Sequence, residues 1–310
     1  MLTVLQTALE VGLIYGLVAL ALFISFSILN IADLSTDGCF TLGCAVGAML
    51  TIAGHPILAL FAAMAAGMLS GYVTAFLQTR LGVESILAGI ISNTGLYTIN
   101  LAVMGFSSNV SITGVDTVFS LFKGLVGGQW SRLILLALIV AVVVIVLIRF
   151  FGTSLGLSIR ATGDSLDMVS ASSINPKATI TIGLCLANAL TALSGCLIGE
   201  YNKFCDINLG TGMVTIALAS LIIGEVFAGH RGVVGKRVVC VVLGSIVYRF
   251  IIALALRLNI SAEYFKLVSA VIVAVAIAAP NMKGYVHLAK IKSNARKLRA
   301  LSGKGDETDA

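Results

Sequence analysis

Three polar residues share one face of a strongly apolar segment in the first third of the chain. Asn93, Tyr97 and Asn100 are four and then three residues apart, which places them along one side of an α-helix. Asn188, in a later apolar segment, adds a side chain that both donates and accepts hydrogen bonds. Such side chains suit the lining of a route for a polar solute, and they equally suit hydrogen bonds between packed helices. Both interpretations are open at this point.

Acidic and amide residues also flank the start of another apolar segment. Asn30, Asp33 and Asp37 lie where the segment 37–53 begins. Side chains of these types line polar paths and gates. They also cap helices, because their oxygens accept hydrogen bonds from the free N–H groups of a first turn. The sequence leaves these two roles open.

The ionisable residues Glu10, Glu225 and Arg249 lie inside apolar segments, where charge is costly. We expect Glu225 and Arg249 to lie near opposite faces of the membrane, and therefore not to pair directly. Placement at the membrane surface is the competing explanation for the two acids. Arg249 lies midway along its segment, and its long side chain can snorkel or reach an acid on another helix.

The sequence carries no recognisable catalytic or metal-binding motif. The pair Gly235-Lys236 resembles part of a phosphate-binding loop, but it lacks the spacing and the Ser or Thr that would hold Mg²⁺. A nucleophile elbow, an HExxH zinc motif and a pair of catalytic carboxylates are also absent. Five of the six cysteines lie in apolar segments without a CxxC pair, which indicates packing. We predict no enzyme activity, no cofactor and no metal for this chain.

Composition identifies the elements that must position these residues. Hydrophobic residues make up 58% of the 310 residues and charged residues 11%, with a mean hydropathy of +1.05. An ordinary soluble domain carries about 25% charge, so a soluble protein is excluded. A membrane-spanning helix takes about 20 apolar residues, whereas a barrel shows alternating segments of about ten. The long apolar runs predict an all-α polytopic membrane helix bundle.

We predict nine spans, of which the second is the most polar and therefore belongs inside the bundle. Glycines spaced four apart, as in Gly43 and Gly47 or Gly195 and Gly199, indicate close helix packing, either within the chain or between subunits. The predicted spans cover residues 8–29, 37–53, 56–79, 85–105, 132–151, 178–199, 213–229, 238–258 and 266–282.

Basic residues cluster after the last predicted span. Seven of the twenty Lys and Arg residues lie between 283 and 304, and positive charge favours the cytoplasmic side of a membrane. The C-terminus is therefore predicted in the cytoplasm and, with nine spans, the N-terminus outside. The transmembrane part covers 1–285, and the polar tail 286–310 is predicted to be disordered. A lipid-facing tail explains the positive charge without a nucleic-acid partner.

A polar loop at 152–177 separates the fifth and sixth spans and is predicted to be cytoplasmic. We expect one short helix in it, with Asp164 as its N-cap, Asp167 in its first turn and Asn175-Pro176 as its end. Apolar residues, Met168 among them, lie on this segment, which is too short and polar to cross the bilayer. We expect a partner protein to cover them.

This loop resembles the coupling loop in the permease subunits of ATP-binding-cassette importers of the branched-chain amino acid and ribose type. Ser173 departs from that pattern, because the family commonly has Gly there. The stretch 28–35 is similar to the opening of the family's central helix, with Ser35 as a departure, and 224–232 is similar to its Gly-rich turn before a late span. The loop residues that match are Gly156, Arg160, Ala161, Gly163, Asp164, Met168, Ile174 and Asn175.

The resemblance implies a type II ATP-binding-cassette importer permease in the cytoplasmic membrane of a bacterium. It implies a homodimer, an extracytoplasmic solute-binding protein, and separate ATPase subunits that carry ATP and Mg²⁺ and dock on the coupling loops. By family position, Asn30, Asp33 and Asp37 would line the path or its cytoplasmic gate. Stretches at 208–210 and 222–225 are most similar to the tryptophan- and tyrosine-type permeases, so the implied solute is an aromatic or branched-chain amino acid.

An ion-coupled secondary transporter or channel is the alternative class. Such a protein should show clusters of intramembrane acids, or broken helices in paired repeats. Neither feature is clear in the sequence.

Overall fold

The chain folds as a bundle of α-helices in a computed structural model that describes residues 2–128, 130–229 and 233–257, together with Val271 and Ala274. Seven of the nine predicted spans fall wholly within these residues, an eighth, 238–258, does so up to residue 257, and each of the eight corresponds to a helix. The ninth predicted span, 266–282, and the predicted tail, 286–310, lie outside the described residues.

Among the described residues, six helices are long and apolar enough to cross a membrane. The first continues through a π-helical segment, Phe23–Ile28. Pro56 occupies the first turn of the second long helix and Pro176 that of the fifth, where the missing N–H of proline costs no hydrogen bond. The six are α1 (Leu2–Leu22), α3 (Pro56–Thr79), α4 (Ser85–Val103), α6 (Ser131–Phe151), α9 (Pro176–Asn202) and α11 (Val234–Arg257).

Two further apolar helices, α2 (Thr36–Ile52) and α10 (Met213–Ala228), are shorter than these six. Their 17 and 16 residues extend over about 25 Å at 1.5 Å per residue, against a hydrocarbon core of about 30 Å. They match the predicted segments 37–53 and 213–229 to within one residue at each end. Both helices begin inside the bundle, because the polar segments before them enter it.

The short helices run in opposite directions from a common level. Both begin at about the depth of Asn188, which lies near the middle of the 27-residue α9. Thr51, at the end of α2, donates to Glu200 at one end of α9, whereas Glu225, near the end of α10, meets Ser27 of the π-helical segment. We call the end of the bundle that carries residues 152–177 the loop end, and the opposite one the far end. From the level of Asn188, α2 runs to the far end and α10 to the loop end.

The helix α9 forms the centre of the bundle. Of the 18 residues in its most apolar stretch, 83% are buried, whereas only 22% are buried in the corresponding stretch of α6, which lies at the periphery. Glycines permit the close approach, because a Cβ on Gly43 would overlap the Ala192 carbonyl, and one on Gly195 would overlap that of Phe40. These glycines pack within the chain, so the first of the two interpretations of their spacing is confirmed.

The connections contain smaller elements. The strands β1 (Asn109–Ser111) and β2 (Phe204–Asp206) pair antiparallel, with Val110 opposite Cys205. Neither these strands nor the next helix, α5 (Val118–Val126), was predicted. A capping box formed by Thr117 and Ser120 starts α5. The predicted single loop helix is in fact two helices, α7 (Ser154–Asp164) and α8 (Leu166–Ala171).

Candidate functional site

Polar side chains meet at the level where α2 and α10 begin. Asp33 Oδ1 accepts hydrogen bonds from the Ser35 backbone N–H at 2.9 Å and from its hydroxyl at 2.6 Å, while Oδ2 accepts from Asn188 Nδ2 at 2.8 Å. All three residues are buried. We call Asp33, Ser35, Asn188 and the neighbouring Asp37 the polar junction. The fold thus brings together Asp33 and Asn188, which the sequence predicted as candidate site residues in two different segments.

Asp37 lies in the first turn of α2 but caps another helix. Its carboxylate accepts the backbone N–H groups of Gly212 and Val214, each at 2.9 Å. These groups belong to the first turn of α10 and have no partner within that helix. The negative charge also lies at the positive ends of two helix dipoles. Of the two roles that the sequence left open for Asp37, the structure shows capping.

The face predicted for α4 divides into an inner and an outer part. Asn100 is buried and donates from Nδ2 to the Gly38 carbonyl at 3.0 Å, while its Oδ1 has no partner among the described residues. Asn93 is half-buried with its Oδ1 beside Gly38. Tyr97 is 52% exposed. The two asparagines therefore adjoin Gly38 of α2, whereas Tyr97 lies largely at the surface.

Asn30 lies apart from the junction, at the loop end. It adopts a left-handed conformation with φ of 57°, which Asn tolerates better than most residues. It lines an open cavity of about 290 Å³ together with Gly163 and Asp164. Asn30 therefore joins the set of loop residues, and not Asp33 and Asn188.

The loop helices are capped differently from the prediction. Ser165, not Asp164, caps α8, since its hydroxyl accepts the Met168 N–H at 3.3 Å, and Asp164 is the last residue of α7. Asn175 does not end a helix but begins α9, where its Oδ1 accepts the Lys177 N–H at 3.0 Å. The placement of Asp167 in a first turn is confirmed.

Glycines fix α7 against the bundle. A Cβ on Gly163 would overlap the Ile28 carbonyl, at the end of the π-helical segment, and one on Gly156 would overlap that of Phe150. Arg160 and Ala161 lie between these contacts and are half-buried. The loop helix α7 is thus held directly against the end of the first membrane helix.

The surface of α8 is open and apolar. Met168 is 58% exposed and Leu166 is also exposed, whereas Val169 is buried against the bundle. Ile174 is half-buried. Ser173 has φ of 59°, a left-handed conformation that favours glycine. This backbone geometry explains why glycine is the residue expected at Ser173 from the family pattern.

The charged residues within the helices have partners on other elements. Glu225 forms an ion pair with Arg237 of α11 at 2.6 Å and accepts a hydrogen bond from Ser27. Arg249 lies over the ring of Tyr15, 5.0 Å from its centroid. The expectation that Glu225 and Arg249 do not pair is in line with these contacts.

Several residues that build these sites were not singled out from the sequence. Ser35 was predicted only as a departure from the family pattern, and Arg237 was not predicted as a partner of Glu225. Glu200, buried at the end of α9, accepts the Thr51 hydroxyl at 3.0 Å and the Val118 N–H at 2.9 Å. No short-range pattern links these partners, because they are far apart in the chain.

Metal binding finds no support in the part of the chain that the structure describes. No group of three or more His, Cys, Asp or Glu side chains there is placed to hold an ion. The polar groups of the junction bind one another and backbone N–H groups, which makes them positioning groups.

Two curated proteins are similar to this chain over nearly its whole length. A "Tyrosine transport system permease protein" of Clostridioides difficile is 31% identical over 294 residues, which cover 94% of this chain and 95% of that protein. An uncharacterized protein of Rickettsia prowazekii, RP368, is 31% identical over 277 residues, covering 88% and 96%. No solved structure gives a significant match.

A family model agrees with these relatives. The model that describes the permease component of branched-chain amino acid transport systems matches residues 4–277. With six membrane-length helices in the part that the structure describes, the chain is a multi-pass membrane protein and a component of transport, not an enzyme. Because the match spans most of the sequence, the protein belongs to the family of branched-chain amino acid transport system permease components.

Proposed function

We propose that this chain is the permease subunit of an ATP-driven importer that moves an aromatic or branched-chain amino acid across a bacterial cytoplasmic membrane. The observation that carries the proposal is the exposed apolar surface of α8, on a loop that glycines hold against the bundle. ATP and Mg²⁺ would bind to a separate ATPase subunit that covers this surface. The relative named for tyrosine transport supports an aromatic amino acid as the solute.

The contacts of α7 give a route from the ATPase to the membrane helices. Gly163 lies against the carbonyl of Ile28, and the chain from there to Asp33 enters the polar junction. A displacement of α7 would move the end of the π-helical segment, because the two backbones are in direct contact and cannot move closer together. The junction would then change its position relative to α9. Such coupling needs an element with two arrangements, and the segment 29–35 is the candidate.

We propose that the solute passes between two copies of the chain, along α4. The outer face of α4 exposes Tyr97 with Thr94 and Thr98, which is polar for contact with lipid. Asn93 and Asn100 would line the inner edge of this path. An extracytoplasmic binding protein would deliver the solute at the far end, and the C-terminal tail would lie in the cytoplasm with the loop end.

The two short helices favour one other class. Helices that begin inside a bundle, with acids at their starts, are typical of ion-coupled secondary transporters. In this chain, however, both oxygens of Asp33 and of Asp37 accept hydrogen bonds from protein groups. The acids therefore hold the helix starts in place, which favours the ATP-driven importer.

The test of the energy source is uptake of radiolabelled tyrosine by cells that express the chain with its neighbouring transport genes. Uptake that stops on ATP depletion and persists with an uncoupler supports the importer. Uptake that stops with the uncoupler while ATP is maintained supports the ion-coupled transporter. Competition by unlabelled leucine and tryptophan defines the solute class.

The test of the coupling surface is Met168→Arg, compared with Leu81→Arg as a matched control. Both residues are exposed and apolar, and both lie at the loop end, but Leu81 follows α3 and is outside α7 and α8. We expect Met168→Arg to abolish co-purification of the ATPase and uptake, with normal membrane insertion. Leu81→Arg should retain both. Normal co-purification and uptake in Met168→Arg would contradict this surface.

A further inference from the structure

A cavity of about 300 Å³ opens at the far end, away from the loop and the polar junction. The first turns of α1, the helix α5, the start of α6 and the end of α9 enclose it. A smaller cavity of about 150 Å³ adjoins it and shares Lys123, Arg132 and Tyr201. We call the larger one the far-end cavity. Its described lining residues are Gln6, Thr7, Glu10, Lys123, Gly128, Ser131, Arg132 and Tyr201.

The walls of the far-end cavity carry charges of both signs that do not neutralise each other. Glu10 is buried and accepts hydrogen bonds from the Tyr201 hydroxyl at 2.9 Å and from Gln6 Nε2 at 3.0 Å. A carboxylate has about four acceptor positions, so Glu10 retains capacity for further donors. Within the described residues, neither Lys123 nor Arg132 approaches a carboxylate within the 4.0 Å of an ion pair.

The basic side chains are positioned but not engaged by an anion. Arg132 lies over the Tyr201 ring, 5.8 Å from its centroid, and this ring also donates its hydroxyl to Glu10. Tyr201 therefore separates the acid from the base and holds them on one cavity wall. Lys123 and Arg132 are both exposed to the opening. Glu200, which lines the adjoining cavity, already accepts hydrogen bonds from Thr51 and Val118.

We propose that the far-end cavity binds a small zwitterion that carries a primary ammonium and an acidic group. Glu10 would accept the ammonium, and Arg132 with Lys123 would hold the carboxylate or phosphate, since both groups form charge-assisted hydrogen bonds with such partners. The volume is at the lower end of the range for small-molecule sites. This site does not depend on the transport function proposed above, because it is separated from the polar junction and from α4.

Two sources supply this chemistry: the headgroup of phosphatidylethanolamine and a free amino acid. The exposed Trp130 at the start of α6 marks the depth of lipid headgroups, because tryptophan concentrates at membrane interfaces. A headgroup at that depth would reach the cavity from the outer leaflet. A free amino acid would reach it from the extracytoplasmic solution.

The lipid arm of the test titrates the delipidated full-length protein with phosphatidylethanolamine, phosphatidylcholine or phosphatidylglycerol and counts bound lipids by native mass spectrometry. Phosphatidylcholine lacks N–H donors, and phosphatidylglycerol lacks the ammonium. We expect phosphatidylethanolamine to bind at least tenfold more tightly than either, and Glu10→Gln or Arg132→Gln to remove that preference. Arg149→Gln is the matched control, since Arg149 is exposed at the loop end of the same helix α6.

The amino acid arm measures binding of radiolabelled tyrosine to the same proteins by equilibrium dialysis. Tyrosine binding that Glu10→Gln and Arg132→Gln weaken at least tenfold, and Arg149→Gln does not, identifies the free amino acid as the source. If Glu10→Gln fails to fold, the lipid and tyrosine binding measurements are made with Lys123→Gln in its place, because Lys123 is exposed. Equal binding of the three lipids, together with tyrosine binding that none of these variants changes, would overturn the proposal.

Discussion

The polar junction and the far-end cavity both place carboxylates among apolar helices, but they use them differently. In the junction, the oxygens of Asp33 and Asp37 receive N–H and O–H donors from the chain itself. In the cavity, Glu10 also accepts donors from Gln6 and Tyr201, but Arg132 and Lys123, which line the same space, have no carboxylate partner among the described residues. A buried polar group without a partner is costly. The junction therefore holds the fold together, whereas the cavity has two basic side chains left for an anionic group of a ligand.

The largest effect is expected from removal of Asp37, because its carboxylate serves two backbone N–H groups of α10 at once. Asp37→Ala should lower the free energy of unfolding by about 3–6 kcal/mol, at about 1.5–3 kcal/mol for each of the two charged hydrogen bonds. Asp37→Asn keeps one acceptor oxygen and should lose about half as much. Thermal unfolding in detergent measures both. A loss below about 1 kcal/mol for Asp37→Ala would show that Asp37, like the cavity residues, contributes little to the stability of the fold.

The next effect tests whether Asp33 and Asn188 act as one unit. A double-mutant cycle with Asp33→Ala and Asn188→Ala should give a coupling free energy of about 1.5–3 kcal/mol, since the amide donates to a charged oxygen. The control cycle pairs Asp33→Ala with Asn100→Ala. These two residues share no hydrogen bond, so their effects should add within about 0.5 kcal/mol. Additive effects in the first cycle would remove the junction as a cooperative unit.

The sequence predicted helices well where hydropathy alone determines them. The prediction for α3 gave its exact ends, 56–79, because Pro56 fixes the first turn and the apolar run ends at Thr79. The depth at which a helix begins could not be predicted in this way. The start of α10 depends on bonds from Gly212 and Val214 to Asp37, which lies about 175 positions earlier in the chain. Hydropathy measures the length of an apolar run and contains no information on such pairs.

The loop at 152–177 shows a similar limit at short range. Asp164 and Ser165 are both good N-cap residues, so composition does not choose between them. The structure selects Ser165, whose backbone is extended, because Gly163 packs against Ile28 and extends α7 to Asp164. The exposed apolar side chains of α8, in contrast, follow directly from their position in a loop too short to cross a membrane.

Asn100 combines a feature of the polar junction, a bonded polar atom, with a feature of the far-end cavity, a polar atom without a partner among the described residues. Its Nδ2 is bonded to the Gly38 carbonyl, whereas its buried Oδ1 has no partner in the described part of the chain. Asn100→Ala should cost about 1 kcal/mol or less of unfolding free energy, as one neutral hydrogen bond between membrane helices does. If its free oxygen contacts the solute, tyrosine uptake should fall far more than stability. Unchanged uptake with this small loss would make Asn100 a packing residue.

The smallest effect on stability is expected at the cavity. Arg132→Gln removes an exposed side chain that has a ring contact but no ion pair among the described residues, so the unfolding free energy should change by about 0.5 kcal/mol or less in lipid-free detergent. Added phosphatidylethanolamine or tyrosine should then stabilise the natural chain more than the variant, because a ligand stabilises the state that binds it. A loss of several kcal/mol without any ligand would show that Arg132 supports the fold, and the contrast with the junction would disappear.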